Sequence, residues 1–132
     1  MSFTRNPNFS GKIKAELGKR LVTAGHKVQG RAVSLIEEPK SGTWHPGNAR
    51  PSSAPGEAPA NQSGELMDSL DTHGPIESES AVEVHVYSWL TRAKMLEAGT
   101  ATKEPRPFLL PALIQSDSDI MAAMRGEGAA NV

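Results

Sequence analysis

The chain has 132 residues, so we expect one domain spanning residues 1–132 with a real core. Hydrophobic residues make up only 37% of it, and 12 Gly and 10 Pro predict that part of the chain is loop or is ordered by partners. The absence of cysteine excludes disulfides and thiolate metal sites. No window has the length and hydropathy of a membrane span, so no membrane partner is expected.

The net charge of −1 hides an asymmetry between the two halves of the chain. Residues 1–50 carry nine Lys and Arg against three Glu, a balance of +6. Residues 51–132 carry five Lys and Arg against twelve Asp and Glu, a balance of −7. A basic segment favours a polyanion or an acidic partner surface. Two interpretations stay open: two ordinary solvated faces, or a subunit with one flank complementary to the opposite flank of its neighbour.

The first predicted element is a long helix from Gly11 to Glu38, where apolar residues recur every three or four positions. Ser10 is the predicted N-cap and Pro39 the predicted stop, and residues 1–9 are expected to be flexible. Basic residues off the apolar stripe are expected at an interface. They are Lys19, Arg20, Lys27 and Arg31.

The segment 39–64 has five prolines and a single large apolar residue, Trp44. Unstructured connections longer than about 15 residues are uncommon in compact domains and are usually functional or disordered. We expect an extended loop that is ordered mainly by contacts with other chains. Trp44 either fixes the loop onto its own domain or anchors a neighbouring subunit, and the second is favoured. The interface residues predicted in this loop are Trp44, Pro55, Glu57 and Pro59.

A β-hairpin is predicted after this loop. Val82, Val84 and Val86 alternate with polar residues, which is typical of a half-buried strand. Residues 70–76 supply its antiparallel partner through a turn at residues 77–80. A capped helical turn or short helix is expected before the hairpin at residues 63–70, and a short helix or irregular link after it at residues 89–98.

The last helix is predicted over residues 108–124, with residues 126–132 as a flexible end. It begins in a stiff apolar segment, and because proline is tolerated in a first helical turn, Pro107 and Pro111 mark its start. Such a segment is typical of a docking element rather than a catalytic one. The fold class predicted is α+β, with a long N-terminal helix and a C-terminal helix packed on a small antiparallel sheet, and a long Pro/Gly-rich loop. The predicted core residues are Leu17, Leu21, Val82, Val84, Val86, Phe108, Leu110 and Leu113.

Residues that could perform chemistry do not converge in the sequence. The four histidines lack the spacing that zinc or a histidine-based catalyst would need. Neither a nucleophile elbow nor a phosphate-binding loop is present. We therefore expect no enzyme activity, no catalytic residue, no metal and no cofactor. The basic side of the first helix could contact DNA phosphates without sequence preference, but an aromatic content of 5% offers no stacking platform.

Three segments in order carry a resemblance. Residues 53–60 and 62–70 read SAPGEAPA and QSGELMDSL, residues 93–100 read AKMLEAGT, and residues 105–113 read PRPFLLPAL. They are similar to the stretches APGEAPA…TGxLxxSI, YAxxLEFGT and xRPFLxPAL of the small tail-completion, or head–tail joining, proteins of long-tailed bacteriophages. The order and spacing match as well, over about residues 10–125.

The chain departs from that family pattern at two positions. Arg92 stands where the family usually has Tyr, and Ala98 stands where it usually has Phe. An aromatic contact near the hairpin is therefore missing, and Trp89 is a candidate to replace it.

The resemblance implies a non-enzymatic virion protein that forms a ring at the head–tail junction, or neck, where it joins or completes the tail and lets DNA pass. It implies a hexameric homo-oligomer, assembled in the host cytoplasm, with a long loop that reaches a neighbour. The adjoining rings would be head-completion or connector proteins and tail-terminator or tail-tube proteins. The alternatives are a tail terminator or other minor tail protein and, from another class, a small DNA-binding accessory protein. The basic helix would either close the ring against acidic neighbours or line the DNA channel.

Overall fold

The computed structural model describes residues 7–47, 51–54, 57–61 and 64–126, and it confirms the predicted α+β fold. A long helix is followed by a two-stranded antiparallel sheet and by short helices. The elements are α1 (Pro7–Glu37), α2 (Glu65–Asp68), β1 (Leu70–Glu77), β2 (Val82–Ser88), α3 (Thr91–Ala98), α4 (Leu109–Gln115) and α5 (Asp117–Met124).

Helix α1 begins at Pro7, four residues before the predicted start, so the predicted N-cap position, Ser10, lies inside the helix. Proline suits the first helical position because an N–H group there would have no intrahelical partner. The helix ends at Glu37, one residue before its predicted end and two residues before Pro39. Of the predicted flexible ends, residues 7–9 belong to α1, while residues 1–6 and 127–132 lie outside the described residues.

The sheet lies on the middle of α1, where glycine allows a close approach. A Cβ atom at Gly25 would lie 2.8 Å from Thr72 Cγ2 and 2.9 Å from Val84 Cγ1. A Cβ atom at Gly18 would lie 3.0 Å from Cγ of Pro75. These two glycines therefore set the distance between the helix and the hairpin.

The core lies around the C-terminal half of α1, where α2, α3, α4 and the start of β1 meet. Phe108 is fully buried there, as predicted, together with Ile36 and Ala32. The other predicted core residues on α1 and β2 are only half-buried, because a sheet of two strands is too narrow to cover α1 on both sides. These half-buried residues are Leu17, Leu21, Val82, Val84 and Val86.

The predicted helix over residues 108–124 is divided into α4 and α5 by a turn at Ser116. The side of this pair that is buried carries small residues, and it includes Ala112, Ser116 and Ala123. Small side chains there let the two short helices approach α1 closely.

The predicted core position is wrong for Leu110 and Leu113, whose exposed fractions are 57% and 49%. The reason lies in Phe108, which enters the core immediately before α4. Because residues four positions apart share one face of a helix, Phe108 directs Ala112 inward and turns the two leucines outward.

Candidate functional site

The three segments that carry the resemblance contact one another in the folded chain. Arg106 Nε, in the third segment, donates to Ser53 Oγ in the first at 3.2 Å. The backbone N–H of Arg106 donates to the carbonyl of Leu96, in the second segment, at 2.6 Å. The three segments therefore form one connected region of the structure.

Glu97 joins the second segment to the third. Its carboxylate accepts hydrogen bonds from the backbone N–H groups of Phe108, Leu109 and Leu110, at 3.0, 2.8 and 3.1 Å. The first N–H groups of a helix have no intrahelical partner, and a carboxylate is favourable there. Since Pro111 has no N–H group, Glu97 and this proline together account for the first turn of α4.

Glu57 binds its own loop, and its place at an interface stays a prediction. Its Oε1 accepts hydrogen bonds from the N–H and hydroxyl groups of Ser41, at 3.1 and 2.9 Å, and from the N–H of Ala54 at 2.7 Å. These hydrogen bonds, the one from Ala54 first, lower the pKa of Glu57 below its usual value. The neighbouring Lys40 donates to the carbonyl of Leu35, and burial lowers the pKa of Lys40.

The described part of the loop 39–64 is held by its own chain, whereas the sequence predicts order through other chains. The N–H of Gly42 donates to the carbonyl of Ser52 at 2.8 Å, and the N–H of Ser52 donates to the carbonyl of Thr43 at 3.0 Å. These two bonds close the base of the loop. Among the described residues of the loop, 44–47 lie beyond these two bonds.

The second proline predicted at the interface also belongs to the chain's own packing. Pro59 is buried, and its neighbour Ala58 packs against the core. The interface prediction is therefore wrong for Pro59. The prediction for Pro55 falls outside the described residues.

Trp44 lies directly beyond the closed base of the loop and is 57% exposed. It is absent from the group of side chains that form or cover the core. Trp44 therefore does not fix the loop onto the core, while the alternative that it packs elsewhere on its own domain stays open. Its role as an anchor for a neighbouring chain stays a prediction.

The basic residues of α1 divide into two groups. Lys19, Lys27 and Arg31 are exposed. Arg20 is half-buried, forms a salt bridge with Glu16 at 3.1 Å, and donates from a terminal guanidinium nitrogen to the carbonyl of Met124 at 2.8 Å. Arg20 therefore ties α1 to the end of α5, and its place at an interface stays a prediction.

Besides the basic side of α1, a second exposed surface is apolar, and two of its residues, Leu110 and Leu113, were predicted to lie in the core. Leu110, Leu113 and Ile114 lie at helical spacing on α4, and each is at least 49% exposed. Beside them a groove of about 550 Å³ opens between α1, β2 and α4. Large exposed apolar patches mark interaction sites. The signal in the sequence was the set of small residues after Phe108. Small residues on the buried side of α4 and α5 indicate that the large residues of α4 face outward.

Polar groups elsewhere do not form a second site. His73 and His85 face each other across the hairpin, a pairing that their sequence spacing hides. Among the described residues, however, no three His, Asp or Glu side chains converge as a metal site would require. A cleft of about 1020 Å³ lies beside α3, but two of its cations, Arg92 and Arg106, already bind groups of their own chain. In the described part of the chain, no helix has the length and apolar character to span a membrane.

Comparison with known proteins yields no relative of this chain. No protein-family model matches it, and neither a curated protein nor a solved structure is significantly similar to it.

Proposed function

We propose that the protein is a non-enzymatic structural subunit that assembles into a ring at the head–tail junction of a long-tailed bacteriophage. The observation that carries this proposal is the exposed apolar surface of α4, where Leu110, Leu113 and Ile114 lie in solvent. In an isolated subunit these side chains stay in contact with water, which is unfavourable in free energy, whereas an assembly would bury them.

The resemblance supplies the kind of assembly. Its three segments contact one another, and Glu97 and Arg106 make their hydrogen bonds within this region. In this proposal the shared motifs build the frame of the subunit, while the loop tip and the α4 surface meet other copies. A tail terminator or another minor tail protein would use the same surfaces in a different ring.

The competing function is that of a small DNA-binding accessory protein. It is favoured by one observation, the exposed basic side of α1 with Lys19, Lys27 and Arg31. Contacts of such residues with phosphates would make DNA affinity strongly dependent on salt.

Size-exclusion chromatography with mass measurement, followed by electron microscopy of the particles, tests the proposal. We expect ring-shaped oligomers and no DNA affinity at physiological salt. A chain that stays monomeric at all concentrations and binds duplex DNA in a salt-sensitive manner would refute the ring and support the DNA-binding protein.

A further inference from the structure

The outer edge of β2 carries backbone groups that the sheet does not pair. On one side of this strand, the N–H of Ser78 donates to the carbonyl of Ala81 at 2.8 Å, and on the other the N–H of Trp89 donates to the carbonyl of Ser69 at 3.3 Å. The two backbone groups of a strand residue point to the same side, and successive residues alternate. Both ends therefore show that the even-numbered residues of β2 direct their N–H and C=O groups away from β1.

This free edge opens into the groove of about 550 Å³ between α1, β2 and α4. Val84, His85 and Val86 line the groove, whereas its described lining includes no residue of β1. Because the side chain of His85 belongs to the opposite face of the sheet, its place in the lining indicates that the groove reaches the backbone of β2. In the described part of the chain, no hydrogen bond from a turn or a side chain reaches the backbone groups of Val84 and Val86.

The opposite edge of the sheet is blocked, whereas the edge of β2 is not. On β1 the register gains one residue between His73 and Ile76, and Pro75 within this bulge has no N–H group. The carbonyl of Leu70 accepts a hydrogen bond from the side chain of Gln29 at 3.2 Å. Strand β2 contains neither proline nor lysine. Since proteins block exposed edges by such devices, the regular edge of β2 favours a strand as its partner.

The floor and the far wall of the groove suit the side chains of an added strand. Nine of the twelve lining residues are apolar, among them Leu21 and Val28 on α1 and Leu113 on α4. In a strand placed beside β2, every second side chain would point towards α1, as those of Val84 and Val86 do. The volume of about 550 Å³ is more than three times the roughly 150 Å³ in which an apolar cavity holds benzene. The groove therefore has room for a few apolar side chains of one strand.

The charge at the groove favours a basic residue in its occupant. Glu97 lines the groove, and its carboxylate forms no salt bridge within the described residues. The described lining residues include neither lysine nor arginine. An ionised carboxylate accepts about four hydrogen bonds, so the three backbone N–H groups that Glu97 holds leave it room for a cation. Such a pair would fix the register of the added strand.

We propose that the free edge of β2 binds an extended segment of another protein, which adds a third strand to the sheet and places alternate apolar side chains in the groove. A basic residue of the segment pairs with Glu97. Backbone hydrogen bonds would supply affinity, and the alternate side chains would supply specificity. The two strands of a second copy of this chain are packed on their own α1, so neither can enter the groove alone. The inference goes beyond the proposed function, which concerns contacts between copies, and does not depend on it.

Hydrogen exchange of single amides in the full chain, followed by NMR, tests the free edge. Without a partner, the amides of Val84 and Val86 should exchange at least about tenfold faster than that of His85, which pairs with β1. The probe is a pool of capped octapeptides with Val, Ile or Leu at every second position, Ser or Thr between them and one Lys. Saturation with this pool should slow exchange of both valine amides by about tenfold or more. A pool that leaves both amides as fast as before would overturn the inference.

Peptides with altered backbones separate strand addition from binding by apolar side chains alone. Two versions of one peptide from the pool carry N-methyl groups on alternate sets of backbone nitrogens, and only one set faces β2. That version should bind about tenfold or more weakly, and the other should stay within about threefold of the parent peptide. Replacing the Lys of the peptide by Glu should weaken binding by about threefold or more. Two N-methylated versions of equal affinity would contradict pairing with the edge.

A pair of neighbouring residues on α4 provides the matched test on the protein. Leu113→Glu places a charge in the groove and should weaken peptide binding by about tenfold or more. Ile114 is the next residue, is 65% exposed and is absent from the lining, so Ile114→Glu should change the affinity by less than about threefold. Equal effects of the two substitutions would overturn the inference. So would protection of Val84 and Val86 that rises with protein concentration in the absence of peptide, since it would assign the edge to a second copy.

Discussion

At the scale of single residues, Glu97 holds the start of α4. One carboxylate satisfies three backbone N–H groups from Phe108 to Leu110. Glu97→Ala should therefore lower the free energy of unfolding by about 1–2 kcal/mol, the range for the loss of a helix cap. Chemical denaturation measures this difference. Glu104→Ala, the exposed control on the same segment, should stay within about 0.5 kcal/mol of the parent, and equal stabilities for both variants would contradict the cap.

A second prediction at this scale concerns pH. Hydrogen bonds from Ala54 and Ser41 lower the pKa of Glu57 in the folded chain below 4.5. The stabilising effect on the loop is therefore fully present above pH 4.5, and it is lost as the pH falls through the lowered pKa. The hydrogen-exchange protection of the Ala54 amide should be high at neutral pH and decline in acid. In Glu57→Gln, we expect low protection already at neutral pH and little further change.

The control for this experiment is Glu37→Gln at the exposed end of α1, which should leave the protection of the Ala54 amide as it is in the parent. Protection in Glu57→Gln that equals the parent's at neutral pH would show that the carboxylate does not hold the base of the loop.

At the scale of elements, the contact between α1 and the hairpin depends on Gly25. A methyl group there would overlap with methyl groups of Thr72 and Val84, which are β-branched and stiff at χ1. Although alanine is a better helix former, Gly25→Ala should destabilise the fold, by about 1–3 kcal/mol for overpacking of this kind. Gly30 is the matched control on the same helix, because a Cβ there meets nothing within 4 Å. Gly30→Ala should stabilise the fold by about 0.5–1 kcal/mol.

Thermal unfolding of the two variants gives the comparison. Opposite shifts of the melting temperature are expected from the same chemical change on the same helix. If both variants melt above the parent, the hairpin does not lie as close to α1 as the structure places it.

The elements could be predicted from the sequence because their signals are local. The alternation of Val82, Val84 and Val86 fixes β2, and the stripe of α1 needs only the spacing of its own apolar residues. The rotation of α4 is not a local property, because Phe108 sets it by entering a core formed mainly by other elements. Sequence reasoning followed the largest side chains and so placed Leu110 on the wrong side.

The difference between local and non-local signals also explains which residues of the candidate site could be predicted. Trp44 was identifiable as the one large apolar residue in its loop, and its exposure is compatible with that interpretation. The roles of Glu57 and Glu97 were not identifiable, because their partners lie up to 16 residues away along the chain. A carboxylate that holds backbone N–H groups has the same appearance in a sequence as one in solvent. Only the hydrogen bonds of the folded chain distinguish the two kinds of carboxylate.

At the scale of the whole molecule, the charge asymmetry leads to a prediction about assembly. Lys27 and Arg31 are exposed on α1, so their removal should leave the free energy of unfolding nearly unchanged. If they face acidic groups of a neighbouring copy, Lys27→Ala with Arg31→Ala should slow association and reduce its dependence on salt. The double variant Lys94→Ala with Lys103→Ala removes the same charge from exposed positions elsewhere, and it should associate like the parent.

The competing arrangement has these two basic residues lining a channel through which DNA passes. Their removal would then leave assembly intact, while the salt dependence of DNA binding would lose about one phosphate contact for each residue. Stopped-flow association at several salt concentrations, with a parallel DNA titration of the assembled ring, measures both effects on the same preparation. Slower association with unchanged DNA binding is the result expected if the basic helix closes a ring, because residues 51–132 carry a balance of −7 against +6 in residues 1–50. Unchanged association with weakened DNA binding would place α1 at the channel and leave ring closure to the apolar contact alone.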